Sequence, residues 1–387
     1  MNENPKIKYI GYYDIFKEKA LKRNYSMAAT KKMDYITESL LLSGFKVEII
    51  SASEYVDPDA PFTSQQQVKL SDDVELILPP NFGAKRKWIR FVRHHITLLW
   101  LLVYLLKNCK KYETILVYHS CSYMAVINLA KCLKKLDVIL EIEEQYGMVW
   151  KSFENQKEQE KKYLKKYRNG CIVVSEVLEE MLEAKNAIVS YGNYSVYQGT
   201  IAPKGIGDTI NMIYTGSIDT VKGSAFMAIE LMEFLPANYV LTITGYIARD
   251  DRELFYSSIE SMNKKLKRNA VNYRGVLNDD EYSNLLKSAD MALNPQKEGE
   301  FGQYLFPSKL LVYLSYNIPV VSTKGESIVK SKVAPLIKFA EEFSPMSMAK
   351  AILSVDFKSR VDSRLFLEQM SVDFRKQLKK RIQNVGS

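Results

Sequence analysis

Short apolar runs recur along the chain, separated by longer stretches in which apolar side chains return every three or four positions. In the first half the runs fall at 7–12, 47–51, 114–118, 138–142 and 172–175. In the second they fall at 212–215, 240–244, 271–274, 291–294 and 319–322. Runs of this length bounded by turn residues read as buried strands, and their alternation with helical patterns predicts βαβ units and parallel sheets. A Gly, Pro, Thr and Asp cluster over 198–208 interrupts the series after Asn186-Ala-Ile-Val-Ser190 and is the best domain boundary. The expectation is an α/β protein of two doubly wound parallel-sheet domains facing a central cleft, 1–197 and 208–360. A last amphipathic segment, 361–387, contains Arg375-Lys-Gln-Leu-Lys-Lys-Arg381.

Two helical stretches stand out. Over 151–168 Glu and Lys recur at helical spacing, Glu158 with Lys162 for example, and large apolar residues are few. This predicts a solvated helix. Lys85-Arg-Lys-Trp-Ile-Arg90, with Arg93, leads into an apolar run over 96–106. The run falls short of the roughly 20 residues a membrane span requires. A basic, aromatic entry to an apolar helix can lie on an anionic membrane surface, and a core helix with a basic edge has the same pattern.

Composition narrows the classes. The 387 residues are 47% hydrophobic, enough for two folded domains. The net charge of +9 favours an acidic partner. No RNP-like strand, zinc finger or basic heptad segment is present, so nucleic acid is not expected. Cys109, Cys121, Cys132 and Cys171 form no CxxC pair and are expected as reduced, mostly buried thiols. The start, Met1-Asn-Glu-Asn-Pro-Lys-Ile-Lys, has no apolar signal core, and the expected address is cytoplasmic, with a peripheral place at the inner membrane face if the basic helix docks there.

The candidate chemistry lies in the second half. Ile213-Tyr-Thr-Gly-Ser-Ile-Asp-Thr-Val-Lys-Gly223 is a strand running into a Gly turn, with a Lys just before the next helix. Backbone amides, a helix start and one cation converge there, which suits an anion. Phe301-Gly-Gln-Tyr-Leu-Phe-Pro-Ser-Lys-Leu310 is a second glycine loop opening a helix at Pro307 and Ser308. Ser308 reads equally as a helix cap and as a ligand contact. Two anion cradles on one domain suggest a nucleoside diphosphate.

These motifs, with the glycine after the strand at 240–245, the Tyr273-Arg-Gly-Val276 turn, the segment 285–295 and Ile318-Pro-Val-Val321, stand in a family's order. The chain resembles the retaining glycosyltransferases of family 4 (glycosyl transferases group 1), most closely over 211–323. Before that, Glu141-Ile-Glu-Glu-Gln-Tyr146 and Cys171-Ile-Val-Val-Ser-Glu176 match more weakly. The resemblance implies the GT-B fold of two Rossmann-like domains, with the terminal helix crossing back to the first. It implies retaining transfer of a sugar from a UDP-, GDP- or other nucleotide-sugar to a glycan or lipid-linked glycan in surface polysaccharide biosynthesis, with no metal and no cofactor.

By the same resemblance, Lys222 neutralises the donor diphosphate. Gly216, Ser217, Gly223, Gly245, Glu298, Glu300, Phe301, Gly302, Gln303, Ser308, Lys309 and Val312 line the donor, and Gly275 and Val276 meet the nucleobase. In the first domain Gly11 and Tyr12 end the first strand near the donor. Arg23 and Ser26 precede a helix over 27–42, and Arg23 and Glu144 face the acceptor. His119, after the strand at 114–118, touches the transferring sugar or its phosphate. The three histidines do not suggest a metal centre, and Asp57-Pro-Asp59 is a polar loop rather than a metal-binding Asp-x-Asp.

Two departures matter. The family's Arg after the turn glycine is Ser217 here, so the clamp is short of one cation. The family's second Glu stands seven residues before the strand's Pro, which in this chain gives Val312, and its first stands eight earlier, at Tyr304. A non-catalytic sugar-nucleotide-binding or partner-stabilising subunit is therefore the alternative, with an epimerase of the same shape behind it.

Overall fold

The computed structural model describes residues 4–15, 22–25, 27–149, 151–201, 204–205, 207–297, 304–358 and 361–384. The chain forms two compact units, Met1–Val174 with Leu178–Ser190 and Ser371–Ser387, and Ser175–Val177 with Tyr191–Met370.

Eight strands make the sheet of the first unit: β1 (Lys6–Gly11), β2 (Lys46–Ser51), β3 (Gln66–Lys69), β4 (Val74–Leu78), β5 (Thr114–Tyr118), β6 (Asp137–Ile142), β7 (Ile172–Val173) and β8 (Ile188–Val189), in the order β3-β4-β2-β1-β5-β6-β7-β8. All pairs are parallel except β3 with β4. The central strands are mostly apolar because parallel strands are covered on both faces, with Lys8, Glu48 and Glu141 as buried exceptions. The β3–β4 hairpin is absent from the apolar pattern read above. Gln66, Gln67 and Lys69 on β3 keep that edge polar.

The helices described here are α1 (Met27–Leu42), α2 (Lys87–Asn108), α3 (Met124–Lys134) and α4 (Lys157–Tyr167). Two differ from expectation. The apolar run after Lys85 belongs to a helix of 22 residues, α2, which packs with Arg93, Thr97, Leu101 and Leu105 buried. By length and composition α2 could cross a membrane. Helix α4 is solvated on one face only: its lysines and Glu158 are exposed, while Glu160, Tyr163, Leu164 and Tyr167 are buried, at the i, i+3, i+4, i+7 spacing of one helix face.

The second unit carries a six-stranded, all-parallel sheet of β9 (Ile210–Thr215), β10 (Tyr239–Thr244), β11 (Val271–Tyr273), β12 (Met291–Asn294), β13 (Val320–Ser322) and β14 (Ile337–Phe339), in the order β11-β10-β9-β12-β13-β14. Strand order reverses beside β9, the place where open α/β sheets leave room for a ligand beyond the strand ends. Three helices of this unit matter for the site: α5 (Ser224–Glu230), α6 (Asp279–Ser288) and α7 (Lys309–Ser315). Helix α6 starts on a capping box, the Asn278 side chain accepting from the Glu281 amide and the Glu281 carboxylate from the Asn278 amide. The last helix, α8 (Ser363–Gln383), begins in the second unit, where Ser363 Oγ donates to Leu314 O at 2.7 Å. From Ser371 onward it packs in the first: Phe374 stacks on Tyr35 at 5.6 Å, and Arg381 makes two bonds of 2.8 Å to Asp137.

Candidate functional site

Beyond the end of β9 the backbone turns at Gly216, with φ of 138°, and reaches α5 through Gly223, with φ of 63°. Both angles lie in the positive range that favours glycine, the wider angle at Gly216 most strongly. Side chains brace the loop between them. Asp251 accepts from the Thr220 amide and hydroxyl, each at 2.9 Å, and Asp219 accepts from the Lys222 amide at 2.7 Å. Lys222 is thereby aimed back along the loop, and its Nζ donates to Ser217 Oγ at 3.1 Å.

A second cation arrives from α7. Tyr313 Oη accepts from the Thr215 amide at 3.0 Å and lies 3.0 Å from Thr215 Oγ1, which in turn lies 3.2 Å from Tyr282 Oη. This hydroxyl cluster fixes α7 against the end of β9. Lys309, four residues before Tyr313 on the same face, then lies over the Tyr214 ring, Nζ 4.2 Å from its centre. A Cβ on Gly216 would stand 4.0 Å from that Nζ. Burial, and then the charge of Lys222, pull the Lys309 pKa down to about 7. Neither lysine forms an ion pair with a carboxylate among the described residues.

Gly245 explains itself by packing. Its φ is 140°, and a Cβ there would fall 1.8 Å from Gly216 O, so the loops after β9 and β10 touch backbone to backbone. Gly216 N donates to Thr244 O at 3.1 Å and Ile218 N to Tyr246 O at 2.8 Å. Gly275, with φ of 71°, continues the row: its carbonyl accepts from Gly245 N at 3.0 Å and from Thr244 Oγ1 at 2.6 Å. Val276 beside it is 72% exposed. The structure thus brings Gly216, Ser217, Lys222, Gly223, Gly245, Gly275 and Lys309 to one end of one sheet.

Ser308 makes no capping bond to α7 and is exposed, so the cap reading of that residue is corrected. Val312 is half-buried on α7, and Tyr304 is buried with its carbonyl accepting from Ser175 Oγ at 2.5 Å. Glu298, Glu300, Phe301, Gly302, Gln303 and Ser26 lie outside the described residues.

In the first unit several expected contacts are spent internally. Arg23 is 1% exposed. It donates to Ser53 O at 3.0 Å and Pro79 O at 3.3 Å and stacks 4.7 Å from the Tyr55 ring centre, so it clips loops together and offers no acceptor contact. Gly11 is bare because Met33 occupies the space, its Sδ 2.6 Å from where a Cβ would stand. Tyr12 is half-buried against Tyr123, ring centres 5.7 Å apart. Glu144 is half-buried after β6.

His119 is the largest correction, because it is 1% exposed and so does not present its ring to a sugar. Its Nε2 lies 2.7 Å from Glu160 Oε1, and its ring packs between Tyr146 and Tyr163. Burial pushes the Glu160 carboxyl up, but the His119 bond and the amides of Gly147 and Tyr146, each donating at 2.7 Å, hold it below its ordinary range. Cys121 completes a buried trio with ligand atoms within 4.8 Å. Burial and Glu160 push its thiol up to about 12. The Glu160 carboxylate already holds His119 and two backbone amides, bonds that a metal would have to break. Asp59, of the Asp-Pro-Asp loop, pairs with Lys85 at 2.5 Å.

Sequence reasoning missed Glu160, Thr215, Tyr282 and Tyr313. The helical spacing of Glu160 with Tyr163, Leu164 and Tyr167 was a readable signal; the hydroxyl cluster had none.

No protein-family model matches this sequence, and no curated protein matches it. Solved structures do match in fold. An E. coli structure described as trehalose-6-phosphate bound with UDP-2-fluoro glucose is 12% identical, with a TM-score of 0.67 over 98% of each chain. A UDP-forming trehalose-phosphate synthase from Burkholderia xenovorans is 10% identical, with a TM-score of 0.65 over 99% of this chain and 100% of that one. Sucrose-phosphate synthase from Thermosynechococcus elongatus is 14% identical, with a TM-score of 0.58 over 98% and 94%. The chain shares the GT-B fold of these proteins.

Proposed function

We propose that this chain is a metal-independent glycosyltransferase of the cytoplasm. In this reading it takes a sugar from a nucleoside diphosphate donor, seated at the end of β9, and passes it with retention to a glycan or lipid-linked glycan in surface polysaccharide assembly. One observation carries the reading: Lys222 and Lys309, neither offset by a carboxylate among the described residues, converge on Gly216 and Ser217. Two ammonium groups held together without counter-charge are costly unless an anion joins them. The UDP-2-fluoro glucose described with the E. coli structure of the same fold makes UDP the first nucleotide to try.

The chemistry follows from where charge develops. As the bond from the anomeric carbon to the diphosphate breaks, its electron pair leaves with the diphosphate, and cations at that point hold the transition state more tightly than the bound donor. The acceptor oxygen bonds to the anomeric carbon on the face the diphosphate leaves, and its proton passes to the departing diphosphate. No protein nucleophile is needed. Lys309, already placed on the donor by the resemblance, supplies a second positive charge beside Lys222.

A second reading, a non-catalytic sugar-nucleotide-binding subunit, is favoured by the apolar Val312 and the buried Tyr304 where the family has carboxylates. Thermal-shift and calorimetric titration of UDP, GDP, ADP and their sugar conjugates, with Lys222→Ala as control, tests the donor site. Selective binding lost in the variant, followed by transfer or hydrolysis of the labelled sugar, supports the enzyme. Binding without turnover supports the subunit, and release of an altered free sugar-nucleotide points to epimerisation. No binding to any nucleotide overturns the donor site itself.

A further inference from the structure

Helix α2 buries polar side chains as well as apolar ones, Arg93 and Thr97 beside Leu101 and Leu105. Arg93 Nε donates to Glu54 Oε2 at 3.0 Å and its Nη1 to Phe82 O at 2.8 Å, while His94 Nδ1 lies 2.8 Å from Glu54 Oε1. The face it turns outward carries Trp88, Phe91, Val92, Ile96, Leu99 and Val103, of which Trp88, Phe91 and Leu99 are 62%, 65% and 62% exposed. Their spacing of three and four residues makes them one continuous stripe. A stripe of this size left in water marks a contact surface rather than a packing accident.

Charge decides what covers it. Arg86, Lys87 and Arg90 are exposed at the start of the stripe, and no acidic group pairs with them among the described residues. Lys107 is exposed near its end, and α2 itself contains no Asp or Glu. A second copy docking through the same face would set these cations against their own counterparts in a chain of net charge +9. A span across the bilayer would carry Arg93 and its bond to Glu54 into hydrocarbon, where ionised groups are costly. We propose that α2 lies in the plane of an anionic lipid surface, with the Trp88–Phe91–Leu99 stripe at the boundary between headgroups and acyl chains and Arg86, Lys87 and Arg90 on lipid phosphates. This goes beyond the donor-site reading and does not depend on it.

The test is flotation of the whole protein with vesicles of phosphatidylcholine alone or mixed with phosphatidylglycerol, without nucleotide. The protein floats with the anionic vesicles at low salt, and the bound fraction falls roughly tenfold on neutral vesicles or at high salt. Phe91→Ser with Leu99→Ser, and separately Arg86→Ser with Lys87→Ser and Arg90→Ser, each reduce it by a similar factor while circular dichroism and melting temperature stay put, since all five side chains are exposed. Trp88 emission shifts to the blue on binding. Absence of flotation on anionic vesicles overturns the proposal. So does a lipid-free dimer in light scattering that Phe91→Ser with Leu99→Ser dissolves, which assigns the stripe to a second copy. Resistance of the membrane-bound protein to alkaline carbonate extraction overturns it in favour of a span.

Discussion

Lys309 Nζ stands 4.2 Å from the centre of the Tyr214 ring, half-buried and beside the like charge of Lys222. The ring face offers a cation some attraction, yet burial and Lys222 still bring its pKa down to about 7. The free site therefore holds Lys309 about half charged near neutrality, and an arriving diphosphate raises the pKa by opposite charge. Nucleotide binding at a pH about one unit above 7 takes up most of a proton. Calorimetric enthalpies in buffers of different ionisation heat should then differ, the difference vanishing about two pH units lower, where Lys309 is already charged. Lys309→Met removes the uptake and weakens binding roughly tenfold to a hundredfold, the worth of one charge-assisted bond.

The same lysine taxes the fold. Its folded pKa lies below its unfolded value, so between about 7 and 10.5 the unfolded chain binds more protons and stability rises with pH. Below that window the full penalty applies. Lys309→Met should therefore raise the melting temperature of the ligand-free protein at pH values under about 7 and raise it progressively less toward alkaline pH.

Gly245→Ala tests the contact between the two loops. The added methyl would fall 1.8 Å from Gly216 O at a φ of 140°. The backbone angle alone costs on the order of 1–3 kcal/mol, and relief of the clash moves Gly216 away from the lysines. Denaturant unfolding should report the loss of stability, and nucleotide titration a loss of at least roughly tenfold in affinity. Intact binding with lowered stability would show that the loop contact is structural only.

How legible all this was depended on distance along the chain. The parallel strands announced themselves because Tyr9, Leu116, Ile139, Ile213 and Leu293 sit in runs covered on both faces. Gln66 to Lys69 did not, because an edge strand lacks that apolar signal. Helix α4 misled through its Lys and Glu residues, which outnumber the four side chains that matter, Glu160, Tyr163, Leu164 and Tyr167. The loop carrying Lys222 was readable as a local pattern of strand, glycine and cation. That Tyr313 and Thr215 would meet and hold Lys309 beside Lys222 was not, since it depends on distant parts of the chain coming together in space. His119 was misread for a related reason: its partner Glu160 lies on a separate helix.

That buried pair makes its own prediction. Glu160→Ala strands His119 Nε2 and the amides of Tyr146 and Gly147 without their acceptor, and should destabilise the first unit in urea unfolding by about 1–3 kcal/mol for each buried group left unpaired. Glu160→Gln keeps one acceptor oxygen and should cost less. The folded pKa of Glu160 is depressed, so its contribution is present above the ordinary Glu range and is lost as pH falls through the depressed value. Acid should therefore narrow the gap between wild type and Glu160→Gln.

Glu141 runs the opposite way in the same unit. It is fully buried, accepts a bond from the Tyr9 hydroxyl, and is pushed up to about 8 by burial and then by Glu143, against the pull of Lys32. Lys32 itself is held by Glu143 at 2.9 Å and by Ser190 O at 2.6 Å, so its charge is shared. A carboxyl whose folded pKa is raised contributes stability that is complete below the unfolded value and is lost as pH rises through the folded one. The window here runs from about 4.5 to about 8. Glu141→Gln keeps the shape and an acceptor for Tyr9 without ever ionising. It should match wild type in urea unfolding at the acid end of the window and exceed it by on the order of 1–3 kcal/mol above the alkaline end. Equal stability of the two proteins at both ends would mean that Glu141 is ionised throughout, with Lys32 as its effective counter-charge.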